Sequence, residues 1–253
     1  MSYFSEYIEV EKEEIADGVF IERRNFLKIS ALAAGSMFLS NYLPLRAEVT
    51  KNKKNKDSGQ KDQDKNNEIK KLMTQMTSKA QALIKAENPD EEKYLKEFTK
   101  MVSSLKNIPH AKKTDRKIKF TSMYSQIPLK VYQIRMLPGT ALRFHDHRNY
   151  NGIVNVLEGS ATIRNFDFAE KIQNIQAAKQ FKIIETQNVI AKQGDISNLS
   201  RYRDNIHDIR AGKNGVLFLD IFTFFNNKGV SKFLKVDKNP IKKNKKIYMA
   251  NWE

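Results

Sequence analysis

A mainly β domain, a barrel or sandwich of about nine short strands preceded by two short α-helices, is what this sequence predicts. Strand-like apolar runs follow one another at 118–123, 129–136, 141–145, 152–157, 161–166, 181–184, 189–191, 206–210 and 216–225. Turn-forming pairs separate several of them, at Pro138-Gly139, Glu158-Gly159, Gln193-Gly194 and Lys213-Asn214-Gly215. Upstream, two apolar stripes keep helical spacing, and no helix interleaves with the strands to suggest a parallel sheet.

The elements follow in chain order. Residues 1–47 read as an address rather than as fold. A polar, acidic run ends at Arg23-Arg24, then Phe26-Leu27-Lys28, then a weakly apolar stretch at 29–43 rich in Ala, Ser and Gly. Paired arginines in that setting resemble a twin-arginine export signal, with an amphipathic helix or an uncleaved anchor as the alternative. A mature chain is expected to begin near Glu48, exported to the periplasm or cell envelope. Residues 48–66 are Lys, Asn, Asp, Gln and Ser, and are expected to be a solvated linker. Ile69, Leu72, Met73, Met76, Ala80 and Leu83 make one helical stripe, predicting a helix over 67–86. Asn88-Pro89-Asp90-Glu91 supplies an N-cap, a proline at the first helical position and acids in the first turn. Tyr94, Leu95, Phe98, Met101, Val102 and Leu105 are the stripe of that second helix, which Pro109 ends, so 67–109 is a helical extension. The barrel is assigned to 110–253. Its last stretch, from 228, reads as a basic tail with Val236, Ile241, Ile247, Tyr248 and Trp252 as docking points.

Composition narrows the function. The chain has 253 residues, 45 Lys+Arg against 29 Asp+Glu, and a formal net charge of +16. Residues 1–47 hold five basic and seven acidic side chains, which leaves 40 against 22 in the remainder, a net +18. Those lysines are spread over linker, helices and tail with no aromatic-interleaved basic motif, which argues against specific nucleic-acid recognition. Weak contact of the tail with anionic surfaces, and a monomer, are expected. The absence of cysteine excludes disulfides, thiolate metal sites, iron–sulfur clusters and a catalytic thiol.

With four histidines the metal-site search is short: His110, His145, His147 and His207. His110 lies beside Lys112 and Lys113 past the second helix, in an expected exposed loop. His145 and His147 sit two apart, a spacing that turns both imidazoles to one face of a strand. His207, sixty residues on, meets them only if the barrel closes. Three neutral imidazoles suit Fe(II), Zn, Cu or Ni, with open positions for a substrate.

Pro138-Gly139, His145, His147 and Gly159 are spaced as in the first cupin motif, and Gln193-Gly194-Asp195 before His207 resembles the second. The fold expected is thus a cupin, a double-stranded β-helix or jelly-roll barrel. That motif places a glutamate ligand where this chain has Gly152. More closely, His145-Asp146-His147, Gly152, Val156-Leu157, Gly159, Asn205-Ile206-His207 and Leu219-Asp220 are similar to the thiol dioxygenases of the cysteamine dioxygenase and plant cysteine oxidase family. Arg148 stands where the family has a proline, and Phe224-Phe225-Asn226 where it has Pro-Pro-Tyr. The resemblance implies one Fe(II) ion on His145, His147 and His207. It also implies transfer of both oxygen atoms of O2 to a thiol sulfur, giving a sulfinic acid. The substrate would be a small aminothiol or an N-terminal cysteine. Asp220 is expected beside a ligating imidazole, fixing its tautomer, or else as a capping aspartate in an apolar run. Arg143 shares strand parity with His145 and either clamps a substrate carboxylate at the barrel mouth or lies on the rim. Asp146 should face away from the ligands. Tyr132 and Tyr150 are possible pocket hydroxyls or packing groups. Two other functions stay open: another metal cupin, an isomerase or hydrolase with Zn, Mn or Ni, and a non-catalytic binding module.

Overall fold

The computed structural model describes residues 58–105, 108–170, 175, 177–226 and 231–253. The expected export signal and most of the linker lie outside the described residues. Two helices, α1 (Ser58–Lys85) and α2 (Glu91–Ser103), precede nine strands. These are β1 (Ile118–Gln126), β2 (Leu129–Met136), β3 (Ala141–Asp146), β4 (Tyr150–Phe168), β5 (Phe181–Lys192), β6 (Ile196–Leu199), β7 (Ile206–Phe224), β8 (Leu234–Val236) and β9 (Ile247–Trp252). Among the described residues no helix is long and apolar enough to cross a membrane.

The strands form one antiparallel sheet in the order β1-β2-β7-β4-β5-β9-β8, with β3 added to β7 and β6 to β4. It curls because β4 and β7 are long and change partners midway. Residues 216–223 of β7 lie between β2 and β4, whereas residues 206–210 lie between β3 and β4. The change falls where the β4–β7 register shifts, around Glu158 and Gly159. Gly159 has φ +75°, and a Cβ there would come within 2.2 Å of the Gly215 carbonyl oxygen. A turn-forming pair has therefore become a bend inside a strand rather than its end. This is why two pairs of expected strands, 152–157 with 161–166 and 206–210 with 216–225, are each one strand of nineteen residues.

Alternation along β7 explains its unbroken apolar run. Leu217, Leu219 and Ile221 face the helices and pack with Met73, Met76, Leu95 and Phe98. Val216 and Phe218 face inward with Ile134, Met136, Val154 and Ile163. A strand buried on both faces needs no polar alternation. The helices are thus a cover for the outside of β2, β7 and β4, fastened by Tyr94, whose hydroxyl lies 2.6 Å from Thr223 Oγ1.

Two elements differ from expectation. Helix α1 begins at Ser58, nine residues before the expected start at 67. Once a stripe anchors a helix, each further residue adds one backbone bond without needing burial, so a polar segment can extend it. Helix α2 is capped by Asp90 rather than Asn88, the Asp90 carboxylate accepting the Lys93 N–H at 2.9 Å. The expected basic tail is a correction of a different kind: residues 234–252 supply β8 and β9, which extend the sheet at β5. Alternate residues Tyr248, Ala250 and Trp252 join one apolar cluster with Phe166, Phe181 and Leu234. The Trp252 ring lies tilted 4.8 Å from that of Phe181 and donates its indole N–H to the Ile175 carbonyl at 2.8 Å.

Candidate metal centre

Strand pairing assembles the histidines. His145 lies near the end of β3 and is the register partner of His207, the second residue of β7. His147 falls just past β3, in the turn before β4, and is held there by its neighbours. Its backbone N–H donates to the Asn205 carbonyl at 2.8 Å, and the Asn205 side-chain amide donates to the His147 carbonyl at 3.0 Å. On the other side, Asp146 accepts the Lys232 N–H at 2.6 Å and the Arg148 guanidinium at 2.8 Å. Asp146 is fully buried, and its role is to fasten the histidine turn to residues 231–233.

The three Nε2 atoms converge at mutual distances of 3.0, 3.1 and 3.2 Å. Among the described residues this is the one group of histidine and carboxylate side chains placed to hold a metal ion. All three imidazoles are buried, and burial drives their pKa values below the usual histidine value; that of His145 falls to about 4. Each ring is therefore neutral at physiological pH. His145 donates its Nδ1–H to the Arg143 carbonyl at 2.8 Å, which leaves the Nε2 lone pair aimed at the cluster. Three buried nitrogens this close cannot satisfy one another as acceptors; a shared cation can. Donor nitrogens about 2.1 Å from one ion and at right angles lie about 3.0 Å apart, against about 3.4 Å at the tetrahedral angle. The observed spacing is that of three donors able to share one metal ion.

Gly152 explains the missing carboxylate. A Cβ at this position would lie 2.8 Å from His147 Nδ1 and 2.9 Å from its Cε1. The His147 ring occupies the space a side chain would need, so a glutamate ligand and this His147 conformation exclude each other. Gly152→Ala is expected to push His147 off the cluster and weaken metal binding about tenfold or more. Competition with a graded chelator, read as metal retained per chain, checks this; unchanged retention would contradict it.

Aromatic rings wall the centre. Tyr150 lies 4.4 Å from the His147 ring and bonds Ser231 through its hydroxyl, Phe222 lies 5.8 Å from His147, and Phe233 lies 6.1 Å from His145. Asp220 is on the inward face of β7, paired in register with Val154 and Tyr132. Among the described residues it hydrogen-bonds none of the imidazoles, so the expected tautomer-fixing contact is absent, and its Oδ1 is buried without a partner. Burial pushes its pKa up to about 8. Arg143 does not line the centre. Its exposed guanidinium pairs with Glu253 at 3.0 Å and covers the Phe233 ring at 4.9 Å. The cause is a register shift between Leu142 and His145, which breaks the alternation that would have put Arg143 and His145 on one face. His110 is exposed and 3.6 Å from Glu158, apart from the cluster. Asn205 stands in the His207 motif, but its bonds to the His147 turn, like the contributions of Phe222 and Phe233, carry no sequence signature, since each depends on which segment packs across the turn.

A curled antiparallel sheet that gathers three histidines and no carboxylate at its inward face defines a cupin with a three-histidine metal site. Within that class the assignment is specific. The PCO_ADO family profile matches residues 72–228, more than half of the chain, including both helical stripes and all three ligands. The chain belongs to this family, that of the cysteine oxidase and cysteamine dioxygenase, non-haem iron thiol dioxygenases with a three-histidine site. No curated protein matches the sequence significantly. Among solved structures the chain is similar to KdgF from Halomonas sp., at 13% identity over 44% of this chain and 84% of that one, TM-score 0.33. It is also similar to the cupin domain of Cnp3 from Schizosaccharomyces pombe, at 14% identity over 44% and 66%, TM-score 0.33. A cupin superfamily protein from Desulfitobacterium hafniense shares 14% identity over 49% and 87%, TM-score 0.30.

Proposed function

We propose that this protein is an iron-dependent dioxygenase that converts a small thiol, or the N-terminal cysteine of a peptide, into a sulfinic acid. The observation that carries the reading is the ligand set of three neutral imidazoles, His145, His147 and His207, with Gly152 in place of a carboxylate. Iron, when bound, supplies the redox chemistry by which both atoms of O2 reach the sulfur. The neutral ligands leave the ion's full charge in place, which lowers the pKa of a coordinating thiol. Tyr150, Phe222 and Phe233 exclude water from that position, which strengthens every charge interaction there. Asp220 is buried on the inward face of β7 with its Oδ1 unpartnered, and burial raises its pKa to about 8, so near neutrality it carries a proton and is the buried acid available to donate one at that face.

Oxygen uptake by iron-loaded protein with cysteamine, cysteine and a Cys-initiated peptide tests the proposal. Uptake is expected with at least one of them; none with any would overturn it. Export by a twin-arginine route is part of the same proposal and rests on Arg23-Arg24 with the apolar stretch at 29–43. An envelope form of the protein still carrying Met1 would count against a cleaved signal.

A further inference from the structure

Arg143 turns away from the centre, yet a different cation lies on the inward face of the sheet. Lys130 is the second residue of β2, where Leu129 and Val131 pack toward the helices while Ile134 and Met136 pack inward. The β2–β7 register is unbroken, so Lys130 shares the inward face with Tyr132, Ile134 and Met136. It pairs with Phe222, which pairs in turn with Gly152, the residue over which the His147 ring sits. Two strand spacings, about 10 Å, thus separate the Lys130 backbone from that of Gly152, and a flexible four-carbon stem lies between backbone and charge. The ammonium rests 5.4 Å from the centroid of Phe224, whose ring lies 5.1 Å from Tyr150, itself 4.4 Å from His147. An aromatic wall therefore runs from Lys130 to a metal ligand.

Lys130 is half-buried and pairs with no carboxylate among the described residues. Burial alone lowers its pKa, with no acid acting against that. The arginines of this fold behave differently: Arg135, Arg148, Arg164, Arg201 and Arg203 each hold an acid. A cation taken partly out of water without a counter-ion is costly unless a ligand supplies one.

We infer that Lys130 is a specificity-determining residue that binds a carboxylate of the substrate, so that the thiol oxidised here is one that also carries an acid group. The inference rests on the proposed thiol dioxygenase reading and names its substrate class. Anaerobic calorimetric titration of the iron-loaded protein tests it without turnover. The probes are 3-mercaptopropionate and the dipeptide Cys-Gly, which place the carboxylate at two distances from sulfur, each beside its amide. At least one acid is expected to bind tenfold or more tightly than its amide, about 1.4 kcal/mol, and Lys130→Met is expected to make that pair equal. Lys130→Arg, which keeps the charge, should retain a preference. Equal binding of both acids and their amides to the unaltered protein, or the same loss for acid and amide in Lys130→Met, would overturn the role of Lys130 while leaving a thiol site. Failure of every thiol to bind would instead remove the dioxygenase reading and this inference with it.

Discussion

His207→Ala is expected to leave the protein with less than about a tenth of its metal, whereas His110→Ala keeps a full complement. His207 Nε2 lies 3.0 Å from that of His145 and 3.1 Å from that of His147, so its loss removes one of three convergent donors. Among the described residues no carboxylate joins the group that could hold the ion, and at Gly152 even a Cβ would collide with the His147 ring. Two imidazoles alone hold a divalent ion weakly, and no other group of described residues could gather it. The fold should survive. Among the described residues the His207 side chain bonds only the other two imidazoles, and a buried truncation of this size costs about 1–3 kcal/mol. Metal content after gel filtration, with a circular-dichroism spectrum to establish folding, is the check. Equal iron in the two variants would remove the ligand assignment.

Asp220→Asn is expected to do two opposite things, lowering turnover about a hundredfold and stabilising the metal-free protein at alkaline pH. The carboxyl is buried with its Oδ1 unpartnered, and its pKa rises from 3.8 to about 8 in the folded state. Between those values the native state holds a proton that the unfolded state has released. Stability from this group is therefore complete below about pH 4, declines as pH rises, and is fully lost above about pH 8. Asparagine cannot ionise and escapes that decline, a difference on the order of a few kcal/mol at pH 9 and near zero at pH 4. Thermal denaturation of both metal-free proteins at the two pH values measures it. A residue kept only for packing would not show lost turnover together with gained alkaline stability. If Asp220→Asn melts at the same offset from the parent at both pH values, the buried carboxylate is not ionising there.

The ligands were legible in the sequence from their residue type and spacing, and strand pairing accounts for two of them, while His147 sits in the turn past β3. His145 and His147 are two residues apart, and His207 opens a strand that antiparallel pairing sets beside them. The two helical stripes were legible for the same reason: Leu95, Phe98 and Val102 repeat at helical spacing and are buried. What escaped depended on irregularities that leave no mark in composition. One register shift in β3 sends Arg143 to solvent. Lys130 reads as an ordinary strand lysine until its row through Phe222 to Gly152 is known. Strand β6, only four residues long, is too short for alternation to declare itself. Strands β8 and β9 were hidden by surrounding lysines, although Tyr248, Ala250 and Trp252 carry the alternation of a strand face. Gly152 could be seen to replace a glutamate, but the reason, the His147 ring pressed against its Cα, is visible only in three dimensions.

The central claim is that a three-histidine centre in this barrel adds dioxygen to sulfur. Its most direct test is mass spectrometry of the product formed by the iron-loaded protein from a carboxylate-bearing thiol under isotopically labelled O2. A sulfinic acid in which both new oxygen atoms carry the label is expected. Unlabelled oxygen in the product, or a disulfide as the sole oxidised species, would contradict it.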